Sequence, residues 1–221
     1  VAIVIGCGPV GLAIICLLKA RGVREIVASD FSPVRRAMAG RCGATRVIDP
    51  AQESPFTSRR KSGFIHEAQD LLELAVGTKE KLDMLPVPWW PLWAAGERLV
   101  GRKHPVVFEC VGSPGILQSI IDGAPMFTRI VVVGVCMQPD TIEPAVGINK
   151  ELDIRFALGY TPLEFRQALH MLAEGEVDAS PLVTATVGLG GVDAAFTALG
   201  QAGGHAKILI DPASAVSTVA G

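Results

Sequence analysis

Five apolar residues, Val1 to Ile5, run straight into Gly6-Cys7-Gly8-Pro9-Val10-Gly11, and this junction limits the fold more than any other feature of the chain. Val1–Ile5 is mostly β-branched, which suits a buried strand. The glycine spacing suits a tight turn from that strand into a helix. Gly6 allows the turn, Gly8 lets backbone approach a pyrophosphate with no Cβ in the way, and Gly11 lets the helix close on the strand. Amides at the helix N-terminus, helped by the helix dipole, then point at the phosphates. A glycine triplet alone is a weak signal; the strand before it and the helix after it give it meaning. Residues Val1 to Leu18 carry no charge and are numerous enough to span a bilayer. Gly6, Gly8, Pro9 and Gly11 interrupt that run, however, and no positive segment precedes it as a secretory signal requires. Strand, turn and buried helix account for the same residues better than a membrane span.

A second signal is Asp30, which ends the apolar run Glu25–Ser29 and lies 19 residues after Gly11. That is the distance expected for the acid that accepts hydrogen bonds from an adenosine ribose. A carboxylate there repels a 2′-phosphate, so NAD is expected over NADP. Arg35 and Arg36 pull the other way, since an arginine nearby accommodates a phosphate, while Phe31 adds no positive charge.

Strand-like runs recur at Val1–Ile5, Glu25–Ser29, Arg46–Ile48, Val106–Cys110, Ile130–Val135 and Leu152–Leu158. Helical stretches fall between several of them, at Pro9–Arg21, Pro33–Arg41, Phe64–Leu74 and Ile116–Gly123. Continuously apolar strands are buried on both faces, as in parallel sheets, and the alternation predicts an α/β fold, a doubly wound parallel Rossmann sheet. Hydrophobic residues make up 49% and charged residues 19% of the 221, which excludes a disordered chain. The net charge of −2 offers no basic footprint for nucleic acid and no anchor for a membrane surface. Five cysteines with no C-x-x-C pair suggest neither a disulfide framework nor a zinc knuckle, and a reducing cytoplasm is the default.

Past Tyr160 the texture changes. Leu163–Glu174 has a helical apolar face, followed by a strand-like Leu182–Val187, a short helix at Val192–Leu199 and a last strand at His205–Asp211. The expected division is a Rossmann domain over residues 1–160 and a C-terminal unit over 161–221. Residues 77–105, with Trp89, Trp90 and Trp93 interleaved among prolines, read as an insertion capping a sheet edge. An interface or a substrate lid are the other readings. A short-chain reductase is excluded, because the residue four after Tyr160 is Glu164 rather than lysine.

The segments VAIVIGCGPVGLAIICLLKARG, IVASD, GATRVIDP, VVFECVGSPG and IVVVGV, with the tail VDASPLVTATVGLGGVDAAFTALGQAGGHAKILID, resemble the cofactor domain and C-terminal return of the zinc-dependent, medium-chain alcohol dehydrogenase family. The resemblance spans most of the chain apart from the tryptophan-rich stretch. It implies roles by position. Pro9 and Val10 would lie under the pyrophosphate and nicotinamide, and Arg35 near the adenosine ribose. Val111 would flank the adenine, and Val133 and Val135 the carboxamide. Leu158 would line the nicotinamide end, and Lys207 would reach the pyrophosphate.

The family's zinc ligands and proton relay come mostly from a GroES-like domain that precedes the first Rossmann strand, and no such domain is found here. His66, His104, His170 and His205 are scattered without ligand spacing, and His66-Glu67 is followed by Asp70 where a second histidine would stand. No catalytic and no metal-binding residue is therefore expected in this chain, and zinc belongs only to a complete family member. The opening inside a strand suggests that something precedes Val1. The C-terminal strands, without the family's partner sheet, would leave open edges that favour a homo-oligomer. The implied function is the NAD(H)-binding portion of an alcohol or polyol dehydrogenase acting on a small-molecule alcohol or carbonyl substrate. The alternative is a non-catalytic NAD(H)-binding or truncated interaction module.

Overall fold

A computed structural model describes residues 1–56, 65–84, 88, 90–94, 104–201 and 204–219. Six parallel strands form the main sheet: β1 (Ala2–Ile5), β2 (Ile26–Ser29), β3 (Arg46–Ile48), β4 (Val106–Glu109), β5 (Arg129–Val132) and β6 (Asp153–Phe156). Their spatial order is β3-β2-β1-β4-β5-β6. The order reverses between β1 and β4, and a crevice opens beyond the carboxyl ends of strands at such a switch point. The expected doubly wound Rossmann sheet is the fold observed.

Side chains alternate across β1, and each face has its own core. Val4 packs with Leu12 and Ile15 of α1 (Pro9–Ala20) and Met38 of α2 (Pro33–Cys42). Ile3 packs on the opposite face with Val107, Ile130 and the pair Ile120 and Ile121 of α4 (Ile116–Gly123). Both helices flanking β2 begin on a proline whose missing N–H costs nothing in the first turn. At the other end of α2, Gly43 adopts a left-handed φ of 113° and its N–H bonds the Gly40 carbonyl. A side chain there would meet the aliphatic stem of Lys19, so the turn and the packing both favour glycine.

Helix α3 covers Ala68–Asp83, later and longer than the expected Phe64–Leu74. Asp70 accepts the Glu67 amide at 3.2 Å and opens the helix. Gly77 lies inside it: a glycine costs about 1 kcal/mol in a helix interior, and the strong helix formers Lys79, Glu80 and Lys81 carry the helix on. Residues 90–94 are also helical, with Trp90 exposed, whereas Trp89 lies outside the described residues. A six-residue helix, α5 (Pro144–Asn149), was not expected between β5 and β6.

After α6 (Pro162–Ala173) the chain builds a second sheet. Strands β7 (Val183–Val187) and β8 (Lys207–Ile210) pair in parallel with each other, joined by α7 (Val192–Gly200). They stand apart from the six-stranded sheet. Leu182 and Ala206 anchor this segment by packing into the cluster formed by α1 and α2. No helix among the described residues is long and apolar enough to cross a membrane.

Candidate functional site

The glycine turn connects β1 to α1 at the carboxyl edge of the sheet. Gly6 has a φ of 90° and donates its N–H to the Ser29 carbonyl at 2.9 Å. A Cβ at Gly11 would overlap the Gly6 carbonyl oxygen, so the helix can approach the turn only with glycine there. A Cβ at Gly8, by contrast, would meet nothing within 4 Å: the backbone faces open space. Helix α1 has no acidic residue in its first turn, and the Gly8 cap supplies no side-chain acceptor. The first-turn amides thus form a positive, uncapped cradle suited to an anion.

Asp30 closes one side of that cradle. Its two carboxylate oxygens take separate backbone amides, Cys7 N–H on Oδ2 at 2.8 Å and Ser32 N–H on Oδ1 at 2.8 Å. The carboxylate therefore ties the glycine turn to the cap of α2, where Ser32 Oγ accepts the Arg35 amide at 3.4 Å. Each oxygen keeps a further acceptor site, since an ionised carboxylate offers about four. Cys7 itself is fully buried, and burial, followed by the Asp30 charge, pushes its thiol up to about 12. It fills space under the turn as a neutral thiol.

On the far side of the switch point, Glu109 ends β4 with only 3% of its surface exposed. Its Oε1 accepts the Val111 and Gly112 amides at 2.7 and 2.8 Å. Its own carbonyl accepts the Val133 and Gly134 amides, both at 2.9 Å, which ends the β4–β5 ladder at Val132. One residue therefore holds the loops after β4 and β5 together. Gly112, at a φ of 70°, lies so close to the Val135 backbone that a Cβ would sit 2.6 Å from its nitrogen. Burial together with Glu109 raises the neighbouring Cys110 thiol to about 12.

Above this staple lies a crevice of about 510 Å³, lined by Glu109, Gly112, Val133, Val135, Cys136 and Leu158 among others. The structure thus brings three of the resemblance-derived positions, Val133, Val135 and Leu158, onto one cavity. Val111 lies against the glycine turn, its methyl 2.7 Å from where a Gly6 Cβ would stand. Pro9 and Val10 are exposed at the start of α1. Arg35 is half-buried in the first turn of α2. Lys207 is exposed and opens β8 in the second sheet, beside Ala206, which belongs to the same apolar cluster as Cys7 and Leu12. Sequence reading missed Glu109. A lone carboxylate closing the apolar run Val106–Phe108 was the available signal.

Among the described residues, no three His, Cys, Asp or Glu side chains are grouped to hold a metal ion. His205 Nδ1 lies 3.1 Å from Thr184 Oγ1, and His170 lies beside Glu174.

Comparison with known proteins agrees with this fold. The family model described as zinc-binding dehydrogenase matches residues 9–174. The (R,R)-butanediol dehydrogenase of Bacillus subtilis is 27% identical over 212 residues, covering 96% of this chain and 50% of that protein. Its crystal structure superimposes with a TM-score of 0.70 over 96% of this chain and 50% of its own. Sorbitol dehydrogenase of Pongo abelii is 26% identical over 182 residues, 82% of this chain and 41% of that protein. An Escherichia coli CFT073 protein described as a short chain alcohol dehydrogenase, solved with NADH, shares the fold with a TM-score of 0.68 at 20% identity, covering 95% of this chain and 51% of its own. The chain spans about half the length of the relatives it matches.

Proposed function

This chain belongs to the zinc-binding dehydrogenase family, and from that premise we propose that it is the NAD(H)-holding half of an alcohol or polyol dehydrogenase. The observation that carries the reading is Asp30, fixed by the Cys7 and Ser32 amides beside the glycine turn with acceptor sites left over. Those sites suit the two hydroxyls of an adenosine ribose, and the negative charge disfavours a 2′-phosphate. The open backbone at Gly8 and the uncapped first turn of α1 suit a diphosphate. Arg35 lies on the ribose side in this reading, Val111 flanks the adenine, and Lys207 faces the diphosphate. The crevice of Val133, Val135 and Leu158 takes the nicotinamide. The bound cofactor would accept or give a hydride at nicotinamide C4. The chain's own part is to orient the ring, exclude water with apolar walls and hold the two loops rigid through Glu109.

Among the described residues, no group of side chains fits a zinc ion. The reading places metal chemistry and the pocket for a small-molecule alcohol or carbonyl compound in the half of the relatives that this chain does not span. Residues 1–160 are the binding domain and 161–221 the return toward that other half. The edge strand β6, with Phe156 exposed and Leu158 and Tyr160 beyond it, supports pairing with a second copy, which light scattering would register as a dimer. Five free thiols support a reducing, cytoplasmic setting, in which trapping with an alkylating agent in lysate would find all five reduced.

Titration of the purified chain with NADH and NADPH, read by energy transfer from tryptophan to nicotinamide, tests the proposal. Binding that favours NADH supports it. Failure to bind either nucleotide would leave the chain as an interaction module, and zinc-dependent alcohol oxidation by this chain alone would overturn the division of labour.

A further inference from the structure

Two adjacent arginines follow Asp30, and the structure gives them different fates. The Arg35 amide donates to the α2 cap. The Arg36 guanidinium turns inward: Nη1 donates to the Asp30 carbonyl and to the Phe31 carbonyl, both at 2.7 Å. Its Nη2 pairs with Asp49 Oδ2 at 3.2 Å, and both side chains are largely buried, 18% and 23% exposed. Asp49 is itself fixed, because its other oxygen accepts the Ala51 amide at 3.0 Å. The strand that delivers Asp49 is also tied to the same place, since the Asp30 N–H bonds the Ile48 carbonyl at 3.3 Å.

An arginine this close to the ribose-recognising acid is the group that would accommodate a 2′-phosphate. Here its fork is held by two main-chain carbonyls and a carboxylate. We propose that Asp49 is a specificity-determining residue for the dinucleotide, acting by keeping Arg36 under the 30–31 loop and away from the ribose edge. With Asp49 in place, the edge presents the Asp30 charge and an occupied guanidinium. Without it, Arg36 loses the carboxylate that holds its Nη2, and the fork is free to turn toward the edge. A released guanidinium favours a phosphate, which binds arginine through charge-assisted, bidentate hydrogen bonds.

The inference rests on the dinucleotide-binding reading, and one set of titrations separates the two. NADH and NADPH affinities are measured for the wild-type chain and for Asp49→Ala, Asp49→Asn, Arg36→Met and the double variant Asp49→Ala/Arg36→Met. Asp49→Asn retains an acceptor for the Ala51 amide, which guards against loss of folding. The expected result is a shift of the affinity ratio toward NADPH by about tenfold in both Asp49 variants, the scale of one hydrogen bond to a charged group. The shift shrinks as salt rises, and it disappears in the double variant. An unchanged ratio in the Asp49 variants overturns the proposal, as does a shift that survives removal of Arg36. If the wild-type chain binds no NADH, the dinucleotide reading falls, and this inference with it.

Discussion

The Asp30 carboxylate accepts the Cys7 amide at 2.8 Å across 23 residues of sequence, so the acid at the end of β2 is a structural member of the glycine turn. Its second oxygen holds the Ser32 amide. Asp30→Ala therefore removes ribose acceptors and turn supports together. Hydrogen bonds to a charged group contribute about 1.5–3 kcal/mol each, and half-burial puts this pair toward the low end, so a loss of about 2–3 kcal/mol is expected. Urea unfolding reads that loss, and NADH titration reads a fall in affinity of more than about tenfold. A variant that unfolds normally and still prefers NADH would remove Asp30 from both roles.

Gly8 and Gly11 separate binding from folding. Alanine at Gly8 meets no atom of the protein, and its backbone at φ −73°, ψ −173° is open to any residue. The stability cost of Gly8→Ala is that of a poorer helix cap, roughly 1 kcal/mol or less. Its methyl projects into the cradle, so NADH binding should be lost while the melting curve stays cooperative. Gly11→Ala drives a methyl into the Gly6 carbonyl and should unfold the chain or lower its midpoint severely. Equal damage from the two substitutions would contradict the cradle.

The turn and Asp30 were legible because their signals are local: a β-branched run, a glycine triplet at a helix start, and an acid at a set distance. The doubly wound parallel sheet followed from the alternation of elements, which leaves few topologies open; the order of its strands came from the structure. What escaped was tertiary. Nothing in the sequence around Arg36 says that its guanidinium folds back onto Asp49 rather than out toward a ligand. The range of α3 escaped because Gly77 reads as a stop while its neighbours sustain the helix. Helix α5 is six residues long, too short for a periodic signal. Val133, Val135 and Leu158 came from resemblance; their own residue types say only that they are apolar, and the fold gathers them onto one crevice.

Glu109 offers a test of how rigid that crevice must be. Replacing it with alanine leaves the Val111 and Gly112 amides without their acceptor at a nearly closed site. An orphaned buried donor costs about 1–3 kcal/mol, so Glu109→Ala should lower unfolding free energy by about 2–4 kcal/mol. Glu109→Gln keeps a carbonyl oxygen on the same amides and should lose less than half as much. Urea midpoints for the two variants decide it, and a glutamine as damaging as alanine would show that the charge, not the staple, matters.

Cys7 ties the site to pH. Burial holds its folded-state value near 12, against an ordinary thiol value of 9.0. The folded chain therefore keeps a proton that the unfolded chain releases, and more protons bound in the folded state means stability falls as pH rises. Its contribution is complete below about pH 9 and is lost progressively as pH approaches 12. The slope from this thiol is at most about 1.4 kcal/mol per pH unit. Urea midpoints at about pH 8 and about pH 10.5 should fall less in Cys7→Ala than in the parent chain. An alkylating agent near pH 8 should spare native Cys7 and label the partly exposed Cys136, with NADH slowing the second reaction because Cys136 lines the crevice. Rapid modification of Cys7 in the folded chain would mean that the turn opens freely, and the tether from Asp30 would then be too weak to organise it.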